Sequence, residues 1–208
     1  MICPLCENSK FQEISYINNK KYFKCDNCFL ISIAKEFHLT AIEEQKRYSY
    51  HKNSINDQNY VEFLNQAVEP TLKYLNTNMI GLDFGCGPCP TLSKILKAKN
   101  LNCTDYDLYF YPEFLNKKFD FIFSTECFEH FRKPKQEIEK ILSILKKQGI
   151  LTIMTSMWDN IDNFKDWYYI KDPTHISFYH KNTFRFIAKR YNLEILEITD
   201  KVVILKFV

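Results

Sequence analysis

Two groups of residues in this chain have the types and spacing to do chemistry. Cys3-Pro4-Leu5-Cys6 and Cys25-Asp26-Asn27-Cys28 are Cys-x-x-Cys turns with eighteen residues between them, inside the window for a four-cysteine zinc site. Each turn offers two thiolates, and two turns complete a tetrahedron. Cys3, Cys6, Cys25 and Cys28 would then hold a structural Zn2+ with no position left for water. The second group is a glycine loop. The chain has only 4 glycines in 208 residues, and Gly81, Gly85 and Gly87 fall within seven positions. Glycine serves where a backbone needs positive φ or must approach something closely. Asp107 follows Gly87 by 20 residues, the separation at which an acid meets ribose hydroxyls in nucleotide-binding units.

The elements around the loop suit that reading. Met79 to Phe84 is an apolar run of strand length, and Leu92, Ile95 and Leu96 after it have helical spacing. Strand, glycine loop and helix bring backbone N–H groups and a helix N-terminus toward a ligand. A second strand spans Leu101 to Tyr106. Only a dozen residues separate Asp107 from Asp120, too few for the strand–helix unit a doubly wound sheet would place there. Phe119 to Ser124 reads as a buried strand, Pro134 to Lys147 as an amphipathic helix stopped by Gly149, and Ile150 to Thr155 as a strand. An aromatic loop from Asp159 to His175, a helix from Asn182 to Tyr191 and two strands turning at Asp200-Lys201 close the chain. The expected fold is α/β, a Rossmann-like doubly wound mixed sheet with a C-terminal antiparallel hairpin and one unit missing.

Three segments are expected: a zinc-ribbon-like knuckle over 1–34, a helical linker and cap over 35–76, and a core over 77–208. Within the first, Phe11 to Ile17 and Lys21 to Lys24 read as a hairpin turning at Asn18-Asn19. So short a segment buries little apolar surface, so metal would stabilise it. Within the second, Thr40 and Glu43 form a capping box before a helix to Tyr50, and Pro70 interrupts a helix from Tyr60 to Leu75.

A net charge of +3 neither demands nor excludes nucleic acid. No apolar run is long enough to cross a bilayer. The N-terminus lacks the basic start and apolar stretch of a signal peptide. A cytoplasmic location without a membrane partner is expected, where paired cysteines suggest metal or redox chemistry rather than disulfides.

The chain resembles the class I S-adenosylmethionine-dependent methyltransferases through Leu82 to Gly87, Tyr106-Asp107, Phe119 to Glu129-His130 and Lys146 to Leu151. It looks closest to a bacterial branch with an N-terminal four-cysteine zinc knuckle, in which stretches like Arg47 to Asn53 and Asp172 to Tyr179 recur. The resemblance implies S-adenosylmethionine as cofactor. Asp83 and the backbone at Gly85 and Gly87, with Phe84 and Cys86 between them, would hold its amino-acid end. Asp107, rather than Asp105, would accept from both ribose hydroxyls. Thr125 and Glu126 would lie beside the sulfonium, and Tyr48 and His51 would close over the cofactor. Two departures stand out. Cys89 occupies the place of a frequent third glycine, and the missing unit removes the usual adenine wall, for which Tyr106, Tyr109 and Phe110 are the replacements.

Methyl transfer to oxygen or nitrogen needs a positioned acceptor and a proton acceptor. His130 and His175 are the base candidates, because imidazole titrates near neutrality, with Asp172 to orient either. Glu126, Glu129 and His130 form a Glu-x-x-Glu-His pattern that resembles a divalent-metal site of some related O-methyltransferases. A small-molecule acceptor is expected, at an oxygen, nitrogen or carbon atom, with RNA or protein acceptors open. Two rival readings exist. Cys86-Gly87-Pro88-Cys89 spells a thioredoxin-like redox motif, against which stand its two-strand context, Asp107 and the chain length. The other is a cofactor-binding or zinc-dependent interaction module without catalysis. Trp158, Trp167, Tyr168 and Tyr169 suggest either a lid over a planar substrate or core packing under a long loop.

Overall fold

A computed structural model describes residues 2–17, 20–50, 53–113 and 116–208. The elements in order are β1 (Phe11–Ile17), β2 (Lys20–Cys25), β3 (Ile31–Ile33), α1 (Ala41–Tyr48), α2 (Gln58–Leu72), β4 (Ile80–Phe84), α3 (Leu92–Ala98), β5 (Asn102–Tyr106), β6 (Phe119–Thr125), α4 (Pro134–Ile144), β7 (Leu145–Met154), α5 (Ile161–Phe164), β8 (Ser177–Phe178), α6 (Lys181–Tyr191), β9 (Leu193–Ile198) and β10 (Val202–Phe207). The expected hairpin turn at Asn18-Asn19 lies outside the described residues.

The larger sheet has the order β5-β4-β6-β7-β10-β9. β4 runs parallel to β5 and β6, and β6 parallel to β7. β10 is antiparallel to both β7 and β9. Among the described residues β5 is the sheet edge, so the unit judged missing from chain length is missing from the fold. Strand alternation sorts the side chains to two faces. Phe121 and Phe123 of β6, Ile150 and Met154 of β7 and Val202 and Ile204 of β10 pack with α2 and α3. Ile122, Leu151, Ile153, Val203 and Leu205 face the other way, against α4 and α6.

Local residue chemistry sets the element ends. Thr40 caps α1 in a complete capping box with Glu43. Asp57 caps α2, which stops at Leu72, two residues past Pro70. Pro134 opens α4, and Asn192, left-handed at φ 55, closes α6. Two glycines serve packing rather than a loop or helix stop. A Cβ on Gly81 would sit 1.9 Å from the Phe121 ring. α4 ends at Ile144, short of the expected Lys147, and Gly149 lies inside β7. There Phe119 pairs Leu145 while Phe121 pairs Ile150, so four residues of β7 oppose Asp120 alone. A Cβ on Gly149 would stand 2.7 Å from the Lys146 carbonyl and 3.0 Å from that of Asp120. Close backbone approach in this bulge, not a helix end, requires the glycine.

A second, antiparallel sheet has the order β1-β2-β3-β8. It joins the N-terminal segment to the stretch before α6. Cys3, Leu5, Cys25, Cys28 and Leu30 are buried with Phe128, Tyr179 and Phe184 in the core that also holds α4 and α6.

Candidate active site

The parallel strands deliver their C-terminal ends to one side of the sheet, the place where open α/β sheets bind ligands. β4 passes into Gly85 (φ 87) and Gly87 (φ 67), both left-handed. The Gly85 and Cys86 N–H groups donate to the Tyr106 carbonyl at 2.8 and 3.1 Å, which pins the loop to the end of β5. The space beside Gly85 is filled, for a Cβ there would stand 2.4 Å from Cys127 Sγ. Beside Gly87 nothing lies within 4 Å of that position.

Asp83, at the end of β4, is 2% exposed, and its Oδ1 has no hydrogen-bond partner. Burial, then Asp105 and Asp107, push its carboxyl well above the usual range. Asp107 Oδ2 accepts from Gly87 N at 3.1 Å, and Oδ1 from Tyr109 N and Phe110 N at 2.8 and 3.1 Å. Of about four acceptor positions on a carboxylate, backbone donors take three. One acceptor position is left without a backbone donor.

These groups border a cavity of about 990 Å³. Tyr48, Asp83, Phe84, Gly85, Cys86, Gly87, Asp107, Thr125 and Glu126 all line it, together with His130 and His175. Asp105 does not belong to the lining. His51 lies outside the described residues. Tyr106, Tyr109 and Phe110 line the wall beyond the glycine loop. Tyr60, Phe63 and Leu64 of α2 also reach the cavity, with the Tyr60 and Phe63 rings stacked at 6.3 Å. Their contribution escaped the sequence reading, which gave this segment only as a helix from Tyr60 to Leu75 interrupted at Pro70.

α1 borders the cavity and is tied to both sides of it. Arg47 Nε and Nη2 donate to Asp172 Oδ1 and Oδ2 at 3.0 and 2.8 Å, a bidentate pair. Glu44 Oε2 accepts from the Tyr109 hydroxyl at 2.8 Å and pairs with Arg132 at 3.1 Å. Thr174 supplies Asp172 with two further donors, N–H and hydroxyl. The expected role of Asp172 in orienting a histidine therefore passes to backbone. His130 Nδ1 lies 3.1 Å from the Thr174 carbonyl, and His175 Nδ1 lies 2.8 Å from that of Tyr169.

The two imidazoles meet at 4.9 Å between ring centroids. Burial lowers the His175 pKa. Glu129 beneath them is fully buried, accepting from the Tyr169 hydroxyl at 2.5 Å and the Thr155 hydroxyl at 2.8 Å. Glu126 Oε2 lies 3.3 Å from the same Tyr169 hydroxyl, whose one hydrogen goes to Glu129. Burial, then Glu129, raise the Glu126 pKa. Its backbone is left-handed at φ 47, a costly conformation for a side-chain residue and one that clusters at functional sites.

The aromatic loop divides its duties. Tyr168 and Tyr169 line the cavity, while Trp158, Phe164 and Ile170 are buried with Tyr22, Ile31 and Phe178 beneath the second sheet, with Trp167 packed against them. The tryptophans are core rather than lid.

Away from the cavity, the ligand atoms of Cys3, Cys6, Cys25 and Cys28 all lie within 4.8 Å of one another. Cys3 and Cys28 sulfurs are 3.5 Å apart and those of Cys6 and Cys25 3.4 Å. Zn–S bonds of about 2.3 Å at tetrahedral angles place sulfurs roughly 3.8 Å apart. The four residues fit zinc, and their separations are far beyond a disulfide bond of about 2.05 Å.

Residues 55–198 match the methyltransferase domain family. The chain belongs to this family, and its fold and loop are those of a class I S-adenosylmethionine-dependent methyltransferase. No curated protein matches the chain. Solved structures that share its fold include two methyltransferases. Magnesium protoporphyrin IX methyltransferase from Synechocystis, solved with SAH bound, is 12% identical over 84% of this chain and 98% of its own, with a TM-score of 0.50. A SAM-dependent methyltransferase from Archaeoglobus fulgidus is 14% identical over 70% of this chain and 93% of its own, with a TM-score of 0.52. Among the described residues no helix is long and apolar enough to cross a membrane.

Proposed function

We propose that this protein transfers a methyl group from S-adenosylmethionine to an oxygen or nitrogen atom of a small molecule. The orphaned Asp83 carboxylate oxygen carries the reading. A buried acceptor without a donor calls for one from a ligand, and the cofactor's ammonium supplies it. Gly85, Gly87, Phe84 and Cys86 cradle the amino-acid end, and Asp107 takes a ribose hydroxyl. Tyr106, Tyr109 and Phe110 flank the adenine, and Tyr48 and His51 cover the cofactor from the N-terminal side. Thr125 and Glu126 stand beside the sulfonium.

The bound cofactor supplies an activated methyl and leaves as a neutral thioether. The chain's own residues hold the acceptor in line and see to its proton. His130 and His175 present basic Nε2 lone pairs, because a carbonyl at each Nδ1 can only accept and so keeps the hydrogen there. The size of the cavity supports a small acceptor. Ligand pockets run to roughly 300–1,000 Å³, and this one stands at the upper end, with room for cofactor and acceptor together. We further propose that Cys3, Cys6, Cys25 and Cys28 hold a structural zinc in a knuckle over residues 1–34, with 35–76 as cap and 77–208 as the methyl-transferring core.

Incubation with radiolabelled S-adenosylmethionine and an extract of the source cell, followed by size fractionation, tests the acceptor class. Label in the small-molecule fraction is the expected result. Label confined to RNA or protein would contradict it.

A further inference from the structure

We propose that Glu129, His130 and His175 bind a divalent first-row transition-metal ion at the inner wall of the cavity. Their ligand atoms lie within 4.8 Å of one another, and all three residues line the cavity. The set differs from the Glu126–Glu129–His130 pattern suggested by the sequence. Glu126 is absent from the group, and His175, 45 positions from His130 along the chain, completes it.

Three features favour an ion over a fortuitous cluster. Both imidazoles have Nδ1 beside a backbone carbonyl, Thr174 for His130 and Tyr169 for His175. A carbonyl cannot donate, so Nδ1 carries the hydrogen and Nε2 the lone pair. Fixing a ligand's tautomer through its other nitrogen is the usual outer-shell arrangement at metal sites. The Glu129 carboxylate is buried and held on both oxygens, by the Tyr169 and Thr155 hydroxyls. Its Oε1 lies 3.9 Å from His130 Nε2. Bonds of about 2.0–2.2 Å to a common ion place neighbouring ligand atoms roughly 3 to 3.5 Å apart, so the group closes by about an ångström. Two nitrogens and one carboxylate oxygen suit Mn2+, Fe2+, Co2+ or Zn2+. An ion takes both Nε2 lone pairs, so the base role proposed for His130 and His175 holds only without it. Three ligands leave positions open toward the cavity, where a hydroxyl acceptor coordinates and has its proton loosened instead.

The purpose given to the ion rests on the methyltransferase reading, but its binding does not. Zinc-loaded protein, freed of loosely held metal, is titrated with Mn2+ while the paramagnetic resonance signal of free Mn2+ is followed. One Mn2+ per chain beyond the zinc, with at least a tenfold loss of affinity in both His130→Ala and His175→Gln, is expected. Titration of the same variants with S-adenosylhomocysteine shows whether the cavity is intact, since Asp83, the glycine loop and Asp107 are untouched. Absence of Mn2+ binding by wild-type protein, or binding unchanged in both variants, would overturn the proposal. S-adenosylhomocysteine binding without Mn2+ binding would overturn it alone, leaving the methyltransferase reading in place. A failure of S-adenosylhomocysteine to bind would count against that reading whatever the Mn2+ result.

Discussion

Cys28→Ser is expected to melt the N-terminal segment and to weaken the whole molecule with it. Cys3, Cys25 and Cys28 are buried in the same core as Phe128, Tyr179 and Phe184. Zinc binding in small domains contributes on the order of 10 kcal/mol to folding, comparable with the whole stability of an ordinary domain at about 5–15 kcal/mol. Loss of one of four thiolates forfeits much of that. It also leaves three sulfurs that would repel as thiolates or lie buried as thiols. The thermal midpoint should fall by more than about 10 °C, and a strong chelator should reproduce the fall in wild-type protein. Differential scanning fluorimetry with and without chelator reads both. A midpoint indifferent to both chelator and substitution would show that the four cysteines pack as ordinary apolar residues.

Gly85→Ala is expected to cost the site its cofactor with a smaller effect on stability. At φ 87 a side chain is strained by roughly 1–3 kcal/mol, and the new Cβ meets Cys127 Sγ at 2.4 Å. Relief requires the loop to move away from the Tyr106 carbonyl that holds Gly85 and Cys86. Each 1.4 kcal/mol is tenfold in affinity, so a loss of about 100-fold in S-adenosylhomocysteine binding is expected by calorimetry. Adding Cys127→Ala removes the contact with Sγ but leaves Cys127 Cβ at 2.9 Å and the backbone strain. The double variant should recover part of the loss. Full recovery would assign the whole effect to sterics, and no loss in the single variant would remove the loop from the binding site.

The parts of the fold that rest on local pattern were legible. The capping box at Thr40 and Glu43, the apolar runs of β4, β6 and β7 and the hairpin at Asp200-Lys201 are written in neighbouring residues. Even the missing strand could be counted from the dozen residues between Asp107 and Asp120. What was not legible depends on partners distant in sequence. Gly81 looked like a member of the loop, and only the Phe121 ring one strand away explains it. Gly149 looked like a helix stop, because the bulge against Asp120 is a property of two strands. At the site, the glycines and Asp107 follow a spacing rule and could be named. The bidentate Arg47–Asp172 pair spans 125 positions, and the meeting of His175 with Glu129 and His130 depends on the loop's path. Neither leaves a local signal. The tryptophans show a different limit, for aromatic composition is the same in a lid and in a core.

Isothermal titration of zinc-loaded protein with S-adenosylmethionine and S-adenosylhomocysteine, beside an Asp107→Ala variant, tests the central claim most directly. Micromolar binding of both by wild-type protein, weakened at least tenfold in the variant, is the predicted result. No binding to folded wild-type protein would contradict it, and would leave the glycine loop as a turn between β4 and α3.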